Sequence, residues 1–256
     1  MLFDPPWPTP DVQRGFVMRD QGRVVGFLGT ILSTRRIGDH HRPFCHLSSW
    51  IVRESHRSAG FELVLPLLAM KHYTLVNLSP SPAAHEIFSG LGFEELEREQ
   101  RLIPLFTPPG ALLRTSRVRI VLGATKVIPL LAGEERRIAV DMAGTQAALA
   151  LLQWRKHHCL VIATSSSWRN GMRLATVEYA SDWDLAHEWT PRVAEAFRRS
   201  LGTVGLRMAG RHARGILQPF AVSRPLERSA LYRPSDSLVR PQDVDGLYSE
   251  RVQQLP

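Results

Sequence analysis

One stretch of this chain carries side chains of a type and spacing that could do chemistry: Cys45-His46-Leu47-Ser48-Ser49-Trp50-Ile51-Val52, followed by Arg53-Glu54-Ser55-His56-Arg57-Ser58-Ala59-Gly60. The first eight residues read as a strand; the next eight read as a basic, hydroxyl-bearing turn that ends in small residues. A strand that delivers such a turn to the start of a helix offers free backbone amides and the positive end of a dipole, which together seat phosphate. On that reading Arg57, Ser58, Ala59 and Gly60 cradle a diphosphate; the alternative is an ordinary strand-to-helix connection. His46 is the candidate general base, because an imidazole has an unperturbed pKa suited to proton removal near neutrality. Its alternative is a histidine at a strand edge.

Two other groups of residues are of functional type. His40, His41, Cys45 and His46, and the run His157-His158-Cys159, are metal-binding types, but successive strand residues point to opposite faces, so no metal site is expected. Arg192, Arg198, Arg199, Arg207, Arg211 and Arg214 could meet nucleic acid. Arg198 and Arg199 sit among apolar residues as a solvated helix face does, and no interleaved aromatic residues accompany the cluster. Nucleic acid is therefore not an expected partner.

The elements that must position the first stretch follow from periodicity. Gly15 to Arg19 and Val24 to Ser33 are apolar, β-branched runs around the turn Asp20-Gln21-Gly22-Arg23, a hairpin signature. After a polar loop with His40, His41 and Arg42 comes a strand from Phe44 to Val52. Ala59 to His72 has apolar residues at helical spacing, with Pro66 predicting a kink. Tyr73 to Leu78 reads as a short buried strand, Pro82 to Leu91 as a helix stopped by Gly92, and Phe93 onward as a strand. Thr107-Pro108-Pro109-Gly110 is the expected domain boundary. Beyond it the pattern predicts a helix from Thr145 to His157, strands at Cys159 to Thr164 and Arg173 to Tyr179 around the Asn170-Gly171 turn, a helix from Asp184 to Leu201 capped by Asp182, a strand from Thr203 to Met208, and an irregular polar tail from Pro234 to Pro256.

Composition is that of a globular protein: 44% hydrophobic and 22% charged residues over 256, enough for one large domain or two small ones. Lys plus Arg outnumber Asp plus Glu by 32 to 24, a formal charge of +8 that favours anionic partners without choosing among them. With only Cys45 and Cys159 there is no disulfide framework. The apolar run from Val118 to Leu131 is broken by Arg119 and Lys126 and is too short to span a bilayer. A cytoplasmic protein without a membrane span is expected.

Taken together, residues 15 to 106 resemble the GNAT superfamily of acyl-CoA N-acyltransferases. The resemblance rests on Ile51-Val52 at the end of the fourth strand of that fold, on Arg57-Ser58-Ala59-Gly60-Phe61-Glu62 as its phosphate turn, and on Ala84 to Phe93, a helix ending in Gly-Phe. The runs around Trp7, Val24 to Gly29, Ser48-Ser49-Trp50, Ser79-Pro80-Ser81, Leu231-Tyr232-Arg233 and Leu247-Tyr248-Ser249-Glu250 are similar to a bacterial branch of acyltransferase-like proteins, some encoded near polysaccharide genes. What this implies is an α/β fold: a GNAT-like mixed sheet flanked by helices over residues 1–107, its usual first strand and helices shortened, then a second α+β domain over 108–256 that is a degenerate GNAT-like copy. The resemblance further implies acetyl-CoA or another acyl-CoA as co-substrate and an amine of a small metabolite or sugar precursor as acceptor, and a homodimer is compatible with it. Backbone groups at Ile51 and Val52 would hold the pantetheine arm, and Ser81 falls where the family often has an Asn facing the cofactor. Phe88 stands where many members have a Tyr that protonates the leaving thiolate. Glu62 replaces a small residue of the phosphate turn, where a carboxylate repels a diphosphate. Both departures favour the rival reading, a non-catalytic GNAT-like protein with an interaction or regulatory role.

Overall fold

The computed structural model describes residues 5–9, 13–105, 115–213 and 221–253. The expected boundary at Thr107 to Gly110, and Arg214, lie outside the described residues. The chain opens with a hairpin, β1 (Gly15–Asp20) and β2 (Arg23–Ile37), closed by Gln21 and Gly22 at φ 45° and 78°. A two-residue turn with both φ positive matches the twist of the strands it joins. β3 (His40–Val52) pairs with β2 up to Ile37 opposite His40. The polar stretch expected as a loop is therefore strand: at a hairpin tip both faces meet water, and no apolar alternation marks it.

The segment expected as one helix from Ala59 to His72 is instead a 3-10 helix, Glu54–Leu63, followed by the short α1, Leu65–Ala69. Pro66 lies in the first turn of α1, where its missing N–H has no helical partner to lose. β4 (Thr74–Asn77) is buried throughout, α2 (Pro82–Gly90) is capped by Ser81, whose Oγ accepts from Ala84 N at 3.2 Å, and Gly92 at φ 80° turns the chain into β5 (Glu94–Pro104).

The second half begins with β6 (Arg119–Leu122), α3 (Ala124–Val127) and α4 (Gly133–Met142). The helix expected over Thr145 to His157 is β7 (Ala148–Trp154) turning at Arg155, φ 55°, into β8 (His157–Ser167). The reason is visible in the packing. Ala150 and Leu152 join one core, Leu149 and Leu151 another, so a strand covered on both faces loses the alternation that would have revealed it. β9 (Arg173–Ala180) follows, then α5 (Trp183–Glu188), with Asp182 Oδ1 accepting from Leu185 N at 2.9 Å, and α6 (Thr190–Leu201), a break in the expected single helix at Pro191. β10 (Gly205–Ala209) and β11 (Val222–Arg233) complete the strands, and α7 (Glu250–Gln253) lies in the tail.

All eleven strands form one mixed sheet in the order β1-β2-β3-β4-β11-β5-β10-β9-β8-β7-β6. β3 and β4 are parallel neighbours, as are β9 and β10, and all other pairs are antiparallel. The same succession occurs twice, an antiparallel meander followed through helical turns by a parallel strand: β1 to β4, then β7 to β10. The last strand does not stay with the second half. β11 inserts between β4 and β5, while β5 pairs on its other side with β10.

The described tail, up to Gln253, is irregular as expected apart from a 3-10 turn, Pro241–Asp243, and α7, but much of it is buried. Val239, Val244, Leu247, Tyr248 and Val252 are core residues, and Tyr248 packs edge-on to Trp7 with ring centroids 5.0 Å apart. Arg35 of β2 grips Asp245 of the tail with both guanidinium Nη atoms, Nη1 to Oδ1 at 2.9 Å. Among the described residues no helix is long and apolar enough to cross a membrane.

Candidate functional site

β3 and β4 are paired only at Phe44–Thr74, Cys45–Leu75 and His46–Val76, after which they part. On its other side, β3 carries a bulge. Leu28 faces Trp50 and Gly29 faces Ser48, leaving Ser49 as the extra residue at φ 44°. A bulge frees one residue from the ladder and re-aims its neighbours, and here it stands at the parting. A left-handed, non-glycine residue costs of order 1–3 kcal/mol and tends to persist where function requires it.

An opening of about 180 Å³ fills the gap between the strands. It is lined from both faces of the sheet. On the helix side lie Leu28, Leu47 and Trp50 with Ala84 and Phe88 of α2, all members of or packed against one apolar core. On the tail side lie Ser48, Ser79 and Glu250. Ser48 Oγ donates to Glu250 Oε2 at 3.1 Å and Ser79 Oγ donates to Oε1, so the carboxylate of α7 bridges the parted strands. Trp50 Nε1 is buried at this opening and donates to no acceptor among the described residues. A buried N–H without an acceptor is a group prepared for a ligand or an ordered water.

The residues picked from sequence fall unequally around this opening. Ser81 lines it while spending its hydroxyl on the α2 cap. Ile51 is 66% exposed beyond the bulge, and Val52 lies over Gly60, whose Cα leaves a Cβ only 3.1 Å from Val52 Cγ2. Arg57 and Ser58 are exposed, with Arg57 Nη1 3.9 Å from Glu54, and Ala59 is half-buried. The turn is wound as a 3-10 helix, whose own carbonyls take up amide donors three residues on, beginning with His56 N to Arg53 O at 2.9 Å. Glu62 points to solvent.

His46 lies three residues before the bulge, 3% exposed, its Nδ1 without a partner. Burial, with Arg35 and Arg251 nearby, lowers its pKa to about 3. It lines neither this opening nor the larger cavity described next, so it is a neutral core imidazole rather than a group facing a ligand. Phe88 is buried against Trp50 and Phe93, at centroid distances of 5.6 and 4.9 Å, and offers no proton. Glu250 is the residue that sequence reasoning missed. The signal was present: an acid inside a short tail whose Leu247, Tyr248 and Val252 are apolar enough to be anchored.

The second parallel pair repeats the geometry. β9 and β10 are matched at Ala175–Leu206 and Thr176–Arg207, and the ladder from β8 to β9 shifts between Ile162 and Ala163, leaving Glu178 as the extra residue. A cavity of about 280 Å³ lies here. Glu178 is buried in it and accepts from Thr164 Oγ1 at 2.8 Å, and burial pushes its carboxyl upward in pKa. Gly246 of the tail passes so close that a Cβ there would lie 1.7 Å from Glu178 Oε2. The arginines offered for nucleic acid do not form one basic face: Arg192 and Arg199 pair with Glu195 and Arg211 pairs with Glu97. Among the described residues no group of three or more potential metal ligands comes together.

A mixed sheet parted between two parallel strands, bulged at the parting and covered there by a helix, is the GNAT fold, and solved structures bear this out. A GCN5-related N-acetyltransferase from Anabaena variabilis superposes with TM-score 0.56 at 13% identity over 88% of this chain, and one from Kribbella flavida with TM-score 0.51 at 16% identity over 83%. The chain spans 64% and 57% of the lengths of those two proteins. No protein-family model matches the sequence, and no curated protein matches it significantly. The fold class expected from the sequence, a GNAT-like mixed α/β sheet flanked by helices, is the one observed.

Proposed function

We propose that the protein transfers an acyl group from an acyl-CoA to an amine, using the opening between β3 and β4. The observation that carries this is the opening's two-sided character, apolar on the helix side and carboxylate-bearing on the tail side. An acyl-pantetheine arm enters from the helix side, where Leu28, Leu47 and Phe88 suit its chain and Trp50 Nε1 donates to one of its carbonyls. The acceptor arrives on the tail side, where Glu250 accepts the proton that its nitrogen loses. The nitrogen–carbon bond forms as the carbon–sulfur bond breaks, and the thiolate takes its proton from water at the mouth, since Phe88 supplies none. In this reading a backbone N–H at the Ser49 bulge stabilises the developing oxyanion, usually the largest single contribution in such reactions.

The diphosphate is assigned to the outer surface of the 3-10 turn, with Arg57 and Ser58 as its side-chain contacts, while Gly60 serves the close packing of Val52. Residues 1–107 and 108–256 are proposed to be two GNAT-like halves that exchange their last strands. The rival reading, a GNAT-shaped protein without catalysis, is supported by Phe88.

Calorimetric titration with acetyl-CoA separates the two. Binding weakened by Arg57→Ala, together with thiol release in the presence of amines, is expected. An absence of heat with acetyl-CoA and longer acyl-CoAs removes the transferase reading.

A further inference from the structure

The 280 Å³ cavity at the second parting is the larger of the two, and neither fold nor motif assigns it a role. It touches the first opening through two pairs of consecutive residues. Leu78 lines the cavity and Ser79 the opening; Arg251 lines the cavity and Glu250 the opening. A molecule seated in the cavity therefore lies one residue's breadth from the carboxylate that bridges the parted strands.

The charges in its walls do not cancel evenly. Glu97 is tied to Arg211, Nη1 to Oε2 at 2.9 Å, and Arg211 spends its remaining donors on Val244 O. Glu178 is held by Thr164 and lies 3.8 Å from Arg251, which donates to Leu78 O at 2.8 Å. Glu99 faces solvent at the rim. Arg207 of β10 remains. Its guanidinium makes no hydrogen bond or ion pair among the described residues, and its Nε is buried without a partner. Burial, and then Arg251 beside it, lower the pKa of this half-buried guanidinium, while the charge of Glu178 in the same cavity pulls the other way without a hydrogen bond. Its neighbour across the ladder, Thr176, shares a hydroxyl contact of 3.0 Å with Ser166, so polar groups flank the guanidinium on the same wall. A planar fork of donors left open in a walled cavity matches a two-oxygen anion.

We infer that this cavity seats the acceptor, and that the acceptor is an amine that also carries a carboxylate or phosphate, its anionic group on Arg207 and its nitrogen directed toward Glu250. The carboxylates of the same cavity, Glu97, Glu99 and Glu178, favour the ammonium form of that molecule on arrival. This assignment rests on the acyl-transfer reading for its direction, but the anion site stands on Arg207 alone.

The test uses the full chain and four probes: glucosamine 6-phosphate and β-alanine for the phosphate and carboxylate arms, with glucosamine and ethylamine as the matching amines that lack the anionic group. Calorimetry should show at least one anionic probe binding tenfold or more tightly than its counterpart. Arg207→Gln should remove that preference and Arg207→Lys should keep part of it. Because Arg207 makes no hydrogen bond or ion pair among the described residues, Arg207→Gln should unfold at a temperature close to that of the wild type, which shows that any loss is one of binding. Equal affinity for the two members of each pair, no binding by either anion-bearing probe, or a preference unchanged in Arg207→Gln overturns the inference. Acetyl-CoA titrated separately keeps the two readings apart: its failure to bind with the anion preference intact sinks the transferase alone, and the reverse sinks the acceptor site alone.

Discussion

Glu250 and Arg251 are consecutive residues of one short helix, yet they serve two different cavities. The Glu250 carboxylate receives Ser48 and Ser79 across the gap between β3 and β4, and the Arg251 guanidinium reaches Leu78 O at 2.8 Å and faces Glu178 in the neighbouring cavity at 3.8 Å. The tail thereby supplies the wall between the two cavities, and what happens there depends on how firmly the tail is held.

If Glu250 accepts the amine proton, Glu250→Gln keeps the bridging geometry and loses the base. Steady-state assays should then show kcat falling roughly 10²- to 10⁴-fold, the usual worth of a positioned base, with acetyl-CoA affinity unchanged. A kcat within a few-fold of wild type would place the base elsewhere.

Trp50 Nε1 has no acceptor among the described residues, so Trp50→Phe removes a donor without breaking a described bond. Thermal unfolding should shift little. Acetyl-CoA affinity should weaken by about 5- to 10-fold, since one hydrogen bond contributes about 1 kcal/mol net. Equal affinities for the two proteins would mean that the arm does not reach this indole.

Asp245 anchors the tail through Arg35, both side chains 9% exposed. Asp245→Asn leaves a buried guanidinium uncompensated, and urea unfolding should show a loss of about 3–5 kcal/mol. Gly246→Ala should also destabilise the tail, because a Cβ has no room beside Glu178.

His46 is held near pKa 3 in the fold against about 6.5 when unfolded. Between those values the unfolded chain binds the extra proton, so this residue's contribution is present above pH 6.5 and is lost as pH falls below it. From pH 6.5 to 5 the loss is about 2 kcal/mol, at 1.36 kcal/mol per unit. His46→Asn should flatten that part of the stability profile relative to wild type. Ring resonances of His46 that titrate near pH 6 would contradict its placement in the core.

Much of the first half was legible because its signals are local. The hairpin at Gln21-Gly22, the α2 helix with its Gly92 stop, and the strand through Cys45 to Val52 each follow from turn chemistry or periodicity within a dozen residues. β7 was misread as helix because both of its faces are covered, which erases alternation. The burial of the tail was not legible because its polar residues find partners far away in sequence, Asp245 on Arg35 and Tyr248 on Asp141 at 2.7 Å.

The sequence by itself determined the GNAT-type architecture and drew attention to the strand and turn around residues 45–60. The tertiary structure added what local sequence could not: it places His46 in the core and Glu250 at the opening between β3 and β4, where Glu250 is the proposed base, and it leaves Arg207 without a hydrogen-bonded partner in a cavity wall. The physical reason is that burial and pairing are properties of the space around a side chain. Whether a carboxylate bridges two strands, or a guanidinium is left without a hydrogen-bonded partner, depends on residues about two hundred positions away that the fold alone brings near.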